Sequence, residues 1–586
     1  MIRNRSIVKE LTHPEPLVKS KRTFVSVNLE IESWESVQAY FKELHSREIQ
    51  TTGDLEKWLR DRSELFSVLE EDLAWRYIRM NCDTSDKNLA ERYIEFVSKI
   101  EPEISRYSNL LDHKFENTSV KDKLNSRKYK VFVRALAKRM EIFREENIQL
   151  ISELQVEEQE YGKISSEMSV SHKGKEITLQ EAANFIKDPD RDIREKYYRK
   201  INERRHKDAA RMQDLLGSLM NKRQQIAKNA GFNDFRDYKW ADLGRFDYTV
   251  KDVQQFHESI RTEICPLAEK ILEKRKEKLS LDVLRPWDLD VDYDLMPPLK
   301  PFKEVDEFVS KTIQSFRKIR HAYGDNIALM NEGGFLDLES RIGKAPGGFN
   351  YPLYESNIPF IYMNATGNLR DIETMFHEGG HAIHSFLSSK QELIEYKELP
   401  AEVAELASMS MELISMDQWH IFFNSKTDLL RAKRSQLEGV IQVLPWIASV
   451  DKFQHWLYTN PNHLIEERNH AWLEVMTEFG SKIVDWSGLD QYLTLMWQKQ
   501  LHIFEVPFYY IEYGMAQLGA IAMWKQYKEK PENALINYER ALSLGYSVPI
   551  PEIYSAAGIA FDFSVGYVQE LIGFVADELA KLEETE

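Results

Sequence analysis

The sequence predicts a mostly α-helical protein. Apolar residues recur at three- and four-residue spacing through most of the chain, the period of a helix with one buried face. Only 24 glycines and 19 prolines punctuate 586 residues, too few breakers for an all-β fold or a disordered linker protein. Strand-like alternation is confined to three short breaks. Hydrophobic residues make up 42% and charged residues 30%, an ordinary balance for a chain long enough to bury a large core. Length suggests roughly four domains at about 150 residues each, although a helical body can run longer as one unit.

In chain order, Ile31 to Leu44, Glu56 to Arg79 and Leu89 to Leu110 carry the helical period with charges between. RALAKRMEIFREENIQLISELQVEEQEYGKI reads as long amphipathic helices. Its heptads are irregular, so packed helices are expected rather than a coiled coil. Residues 164–179 place Lys173-Gly174 between alternating runs, which signals a β-hairpin. Helical pattern resumes from Gln180 to about Asn229. A second break, Leu281 to Lys300, contains DLDVDYDLMPPL, which alternates like a half-buried strand. Its spaced acids Asp288, Asp290, Asp292 and Asp294 invite a calcium-loop reading. The positions that need Gly and Glu hold Tyr293 and Leu299, so a solvated strand face is the better account. The third break, Gly333 to Gly367, should hold two short strands, about Gly347–Tyr351 and Ile358–Asn364. The remainder reads as helical, with a frayed tail at LEETE.

Charge and cysteines exclude several functions. There are 78 bases against 95 acids, a net charge of −17, which disfavours general nucleic-acid binding. Two cysteines, Cys82 and Cys265, cannot build a disulfide framework or a Cys-rich zinc site, and they fit a cytoplasmic protein. The start, MIRNRSIVKELTHPEP, lacks an apolar signal region, and no apolar run approaches the ~18–20 residues that span a bilayer. Neither a membrane nor a nucleic-acid partner is expected.

The chemistry lies in NLRDIETMFHEGGHAIHSFL, residues 368–387. Asn368 can cap a helix, with Asp371 in capping-box position. On that helix His377 and His381 share a face one turn apart and can reach one ion. Glu378, about 100° around the helix, falls beside the ion rather than on it. Two imidazoles and a carboxylate suit zinc, which lowers the pKa of a water it holds to about 7. Gly379 and Gly380 each cost about 1 kcal/mol in a helix relative to Ala, so something must approach closely there. His384 lies about 10 Å along the axis from His377 and reads as a supporting or packed residue. The third ligand should come from LPAEVAELASMSMELISM. Glu405 and Glu412 point the same way, so one could bind metal while the other orients a histidine. Glu402 competes, and spacing alone leaves the choice open.

HEGGHAIHSF and AELASMSMEL resemble the zinc oligopeptidases that include oligoendopeptidase F and thimet oligopeptidase. In that family the third ligand heads Glu-x-x-Ser-x-x-x-Glu, matched here by Glu405, Ser408 and Glu412, so the resemblance selects Glu405. LHIFEVPFYYIEYGMAQLGA, residues 501–520, is similar to the family's segment of a histidine followed by tyrosines. Pro507 should begin a helix on which Tyr509 and Tyr513, and Tyr510 and Tyr513, share a face. Tyr513 best matches the tyrosine that stabilises the oxyanion, His502 matches its accompanying histidine, and Tyr510 is a weaker match. RIGKAPGGFNY with IPFIYMN matches a region where a family edge strand pairs with substrate backbone. PFYYIEY and SMSMEL favour the oligoendopeptidase F branch.

The resemblance implies a two-lobed helical metallopeptidase with a deep substrate channel and a small β-sheet beside the HExxH helix. It implies an N-terminal helical region, 1–180, and a zinc peptidase region, 181–586. One zinc ion would sit on His377, His381 and Glu405, with Glu378 as general base and Tyr513 and His502 as oxyanion donors. Substrates would be short unstructured peptides cut at internal bonds. An exopeptidase on the same scaffold, or a silent peptide-binding protein, are the competing readings.

Overall fold

The structure is a computed structural model that describes residues 22–341 and 343–584. The N-terminal stretch read above for a signal, and the last two residues of LEETE, lie outside them. The fold is mostly helical, as the period predicts. It forms two compact units, each assembled from separated stretches of chain. One takes residues up to 148, 300–430 and 516–561, and the other takes 149–299, 431–515 and 562 onward. Each therefore draws on chain from both sides of residue 180.

In the first unit, the helix Thr52–Cys82 starts at a capping box of Thr51 and Asp54. It buries Leu55, Trp58, Leu59, Leu65 and Leu69 against Phe115 and Phe132, and against Leu393 and Tyr396 from far along the chain. Fully burying side chains of this kind is worth about 1.5–3 kcal/mol each. The block at 134–164 is shared between two helices, Lys130–Ile142 and Glu145–Ser166. It breaks after Ile142, where the Arg144 guanidinium donates to the carbonyls of Glu141 and Phe143 and so satisfies the helix end.

Three short strands form one sheet: β1 (Leu336–Glu339), β2 (Phe349–Tyr351) and β3 (Phe360–Ala365). The order is β1-β3-β2, with β3 parallel to β1 and antiparallel to β2. The strand predicted in IPFIYMN is thus the central one, paired on both sides. The edges are β1, which is not among the predicted strands, and β2. At a register shift between Asp337 and Glu339 the pairing opens. The buried Lys344 ammonium fills that gap, donating to the carbonyls of Asp337, Glu339 and Met363 and to the Asp337 carboxylate. Helices α1 (Val305–Ile319), α2 (Leu369–Ser388) and α3 (Ala401–Ser415) complete the site's surroundings.

In the second unit, the predicted hairpin pairs Ser169–His172 with Lys175–Thr178. Lys173 and Gly174 both have positive φ, 50° and 80°, as a two-residue type I′ turn requires. The expected strand at 288–299 is absent. Asp288 is instead fully buried and paired with Arg191 and Arg194, and Asp292 pairs with Arg431. Guanidinium partners account for Asp288 and Asp292, while Asp290 and Asp294 are exposed. The unit also contains most of α4 (Lys426–Thr459), the short α5 (Leu501–Glu505) and the first turn of α6 (Tyr510–Glu529). Among the described residues no helix is long and apolar enough to cross a membrane.

Candidate metal centre

The start of α2 is over-determined. Asn368 Oδ1 accepts the Asp371 N–H at 3.3 Å, and Asp371 Oδ2 accepts the N–H groups of Thr366, Gly367 and Asn368 at 2.9, 2.7 and 2.9 Å. These contacts satisfy donors that a helix start leaves open. The two predicted glycines then meet packed neighbours. A Cβ on Gly379 would lie 2.4 Å from Cζ of Phe316 on α1, and one on Gly380 would lie 2.5 Å from Cα of Ser408 on α3. Side-chain-free contact at Gly380 lets α3 pass close enough for Glu405 to reach the histidines. Two hydroxyls fasten α3 from its other surroundings: Tyr538 donates to the Ala407 carbonyl and Tyr554 to that of Glu402, both at 2.9 Å.

His377, His381 and Glu405 converge. Each offers a ligand atom within 4.8 Å of the others. Glu405 Oε2 stands 3.2 Å from His377 Nε2 and 3.6 Å from His381 Nε2. Ser408 donates to the same Oε2 at 3.1 Å, which orients the carboxylate. Glu412 Oε1 lies 2.7 Å from His377 Nδ1. That contact places a proton on Nδ1 and turns Nε2 toward Glu405. Glu402, the competing acid, is not in the cluster. His384 is fully buried and outside it, and burial, with the neighbouring His381, pushes its pKa down to about 3. It is a packed neutral imidazole.

The electrostatics are those of a cation site. Burial opposes charge on His377, yet its hydrogen bonds to Glu405 and Glu412 hold it well above the usual histidine value. Burial pushes His381 down to about 4. Glu378 is pushed up to about 7, mainly by burial, with Glu405 and Glu412 adding to it. A divalent cation would replace the proton held between His377 and the carboxylates. The donor set, two imidazole nitrogens and one carboxylate with both histidines still about a fifth exposed (19% and 18%), fits a metal open to a reactant.

The second unit holds the other predicted residues. His502 lies on α5, and Tyr510 and Tyr513 on α6, which starts three residues after Pro507 rather than at it. The His502 ring is 4.8, 5.6 and 6.1 Å from those of Tyr510, Tyr513 and Tyr509, and Tyr513 Oη is 3.5 Å from its Nε2. Its tautomer follows from a relay. Trp446 Nε1–H donates to Gln500 Oε1 at 3.0 Å, which turns the Gln500 amide NH₂ toward His502 Nδ1 at 2.7 Å. Nδ1 then accepts, so the neutral ring carries its proton on Nε2, as a donor.

The comparisons with known proteins fit this geometry. A model described as Peptidase family M3 matches residues 184–571, and one described as Peptidase M3 N-terminal domain matches residues 24–143. The chain belongs to peptidase family M3. Oligopeptidase PepF of Bacillus subtilis is 21% identical over 389 residues, 66% of this chain and 56% of that one. An oligoendopeptidase F homolog of Borreliella burgdorferi is 24% identical over 378 residues, 62% and 61% of the two chains. The match thus spans less than two thirds of these curated M3 relatives. The solved structure of PZ peptidase A with inhibitor 2 superposes with a TM-score of 0.88 at 26% identity, covering 95% of this chain and 99% of that one. Oligoendopeptidase-F from Enterococcus faecium, 14% identical with a TM-score of 0.64 over 94% and 97%, shares the fold. The resemblance to the oligoendopeptidase F branch is borne out.

Sequence reasoning missed several supporting residues. Asn350 of β2 donates to the Glu378 carbonyl at 3.3 Å and ties the sheet to α2. Gln500 and Trp446 set the His502 tautomer. No spacing announces them, because each acts across the fold rather than along one helix face.

Proposed function

We propose that the chain is a zinc-dependent oligoendopeptidase that hydrolyses internal bonds of short unstructured peptides. The observation that carries this reading is the convergence of His377, His381 and Glu405 with Glu378 beside them on the same helix. One zinc ion per chain would be held by those three residues. When bound, it supplies Lewis acidity and brings a water's pKa to about 7. Glu378 takes the proton of the attacking water and delivers it to the leaving amine, a role suited to a carboxyl group whose pKa has been moved toward neutrality. Tyr513 and His502 donate hydrogen bonds to the carbonyl oxygen as its charge develops. Their role rests on the family resemblance, and the donor tautomer of His502 supports it. The outer edge of β2 pairs with substrate backbone, which binds many sequences alike. Tyr509 and Tyr510 line the same segment and contact substrate. The two-cysteine composition fits a cytoplasmic setting.

The test is cleavage of an internally quenched peptide of about ten residues. Product masses and bound metal are read from the same preparation, with and without chelator. Internal cuts that stop with chelator and return with zinc support the reading. Cuts confined to one terminus would replace it with an exopeptidase. A zinc-loaded sample that binds but never cleaves a varied peptide set would leave a peptide-binding protein.

A further inference from the structure

Phe508, just before the tyrosines, has φ of +67° and is only 1% exposed. A bulky residue in the left-handed region is strained, and such a residue persists only where its surroundings over-determine it. Here they do. The Phe508 N–H donates to Gln454 Oε1 of α4 at 2.8 Å, and its carbonyl accepts from Arg245 Nη2. Its ring packs 5.2 Å from that of His455 and 5.4 Å from that of Tyr458. Arg245 Nη2 also holds Glu512 Oε1 at 2.8 Å, with both side chains almost wholly buried. Glu512 lies on α6 between Tyr510 and Tyr513. The guanidinium is itself fixed over Trp240, 4.6 Å from the ring centre. Next to Tyr513, a Cβ on Gly514 would lie 2.5 Å from the Phe256 ring and 3.1 Å from Ile447, so α6 is seated closely there.

We infer that Arg245 and Gln454 are positioning residues that, through Phe508 and Glu512, set where Tyr513 presents its hydroxyl. The inference rests on the peptidase reading above and deepens it. One guanidinium grips both the turn before α6 and the helix itself, so the turn cannot shift without the helix. Stability alone does not call for this arrangement. A helix beginning at Pro507 would need neither the strained residue nor the clamp, but it would carry Tyr509 inside its first turn. The strain is kept where aim matters, because a misplacement of about 1 Å in a catalytic group costs about 10²-fold in rate.

The experiment is a double-mutant cycle on the zinc-loaded full chain, read as kcat and KM for the quenched peptide with bound zinc measured alongside. Arg245→Met is expected to lower kcat by about 10²-fold and Gln454→Leu by about 10-fold, with zinc retained and KM within about twofold. In a Tyr513→Phe background each should cost less than about twofold more, because the donor they aim is already gone. A purely structural clamp would not give that non-additivity. The inference is overturned if the losses multiply in full, or if both single variants keep wild-type kcat. Should Arg245→Met fail to fold, Gln454→Leu, which removes a single neutral acceptor, carries the same cycle. A Tyr513→Phe enzyme with unchanged kcat overturns the tyrosine reading itself, and this inference with it, whatever the clamp variants do.

Discussion

At Gly380 two helices come together because nothing stands between them. At Phe508 the chain holds a conformation it would not choose because side chains grip its peptide groups on both sides. The metal helices are positioned by shape: Phe316 over Gly379, and Ser408 against Gly380. The tyrosine turn is positioned by directed hydrogen bonds, one to Gln454 and one from Arg245. Shape tolerates loss of a polar partner and fails when volume is added. A polar clamp tolerates small changes of volume and fails when one partner goes. Each region should therefore have its own pattern of damaging substitutions.

The largest expected effect removes the proton carrier from the metal side. Glu378→Gln keeps the shape of α2 and should lower kcat by about 10²–10⁴-fold with zinc retained. An active, zinc-loaded Gln variant would sink the general-base assignment. On the tyrosine side, Tyr513→Phe should lower kcat by about 10²–10³-fold, again with zinc bound. Near-normal turnover would confine the chemistry to the metal helices and break the comparison.

A smaller effect is expected at Glu412. Glu412→Gln weakens the partner of His377 Nδ1 and should reduce zinc affinity by about 10–100-fold, measured by competition with a chelator. Unchanged affinity would mean that α2 aligns His377 without help from α3. Last come the glycines. Helix propensity favours Gly380→Ala by about 1 kcal/mol, but the added methyl meets the backbone of α3, and overpacking costs about 1–3 kcal/mol. Denaturant unfolding should show a net loss of stability, together with weaker zinc binding. At Gly379 the obstacle is the end of the Phe316 ring, so Phe316→Leu should rescue Gly379→Ala but not Gly380→Ala. Equal rescue of both would refute the distinction.

Legibility in the sequence follows the same divide. His377, Glu378, His381, Glu405 and Glu412 lie on two helices, and a helical period repeats visibly along the chain, although only the family resemblance chose Glu405 over Glu402. The need for close approach at Gly379 and Gly380 was readable as well, though not which neighbours fill it. The turn at Phe508 is different. A left-handed phenylalanine leaves no pattern, so Pro507 looks like a helix start, and Arg245 and Gln454 reach it from hundreds and tens of residues away. The acids at 288–294 misled for a related reason. Alternation matches a strand, but arginines distant in sequence hold Asp288 and Asp292.

The hydroxyls of Tyr538 and Tyr554 on the Ala407 and Glu402 carbonyls carry a consequence in time. The ribosome makes both metal helices well over a hundred residues before it makes those tyrosines. At roughly 5–20 residues per second, that interval lasts on the order of ten seconds. During it α3 lacks two of its fastenings. The nascent chain thus carries its His-Glu cluster without those two fastenings until residue 554 has been made.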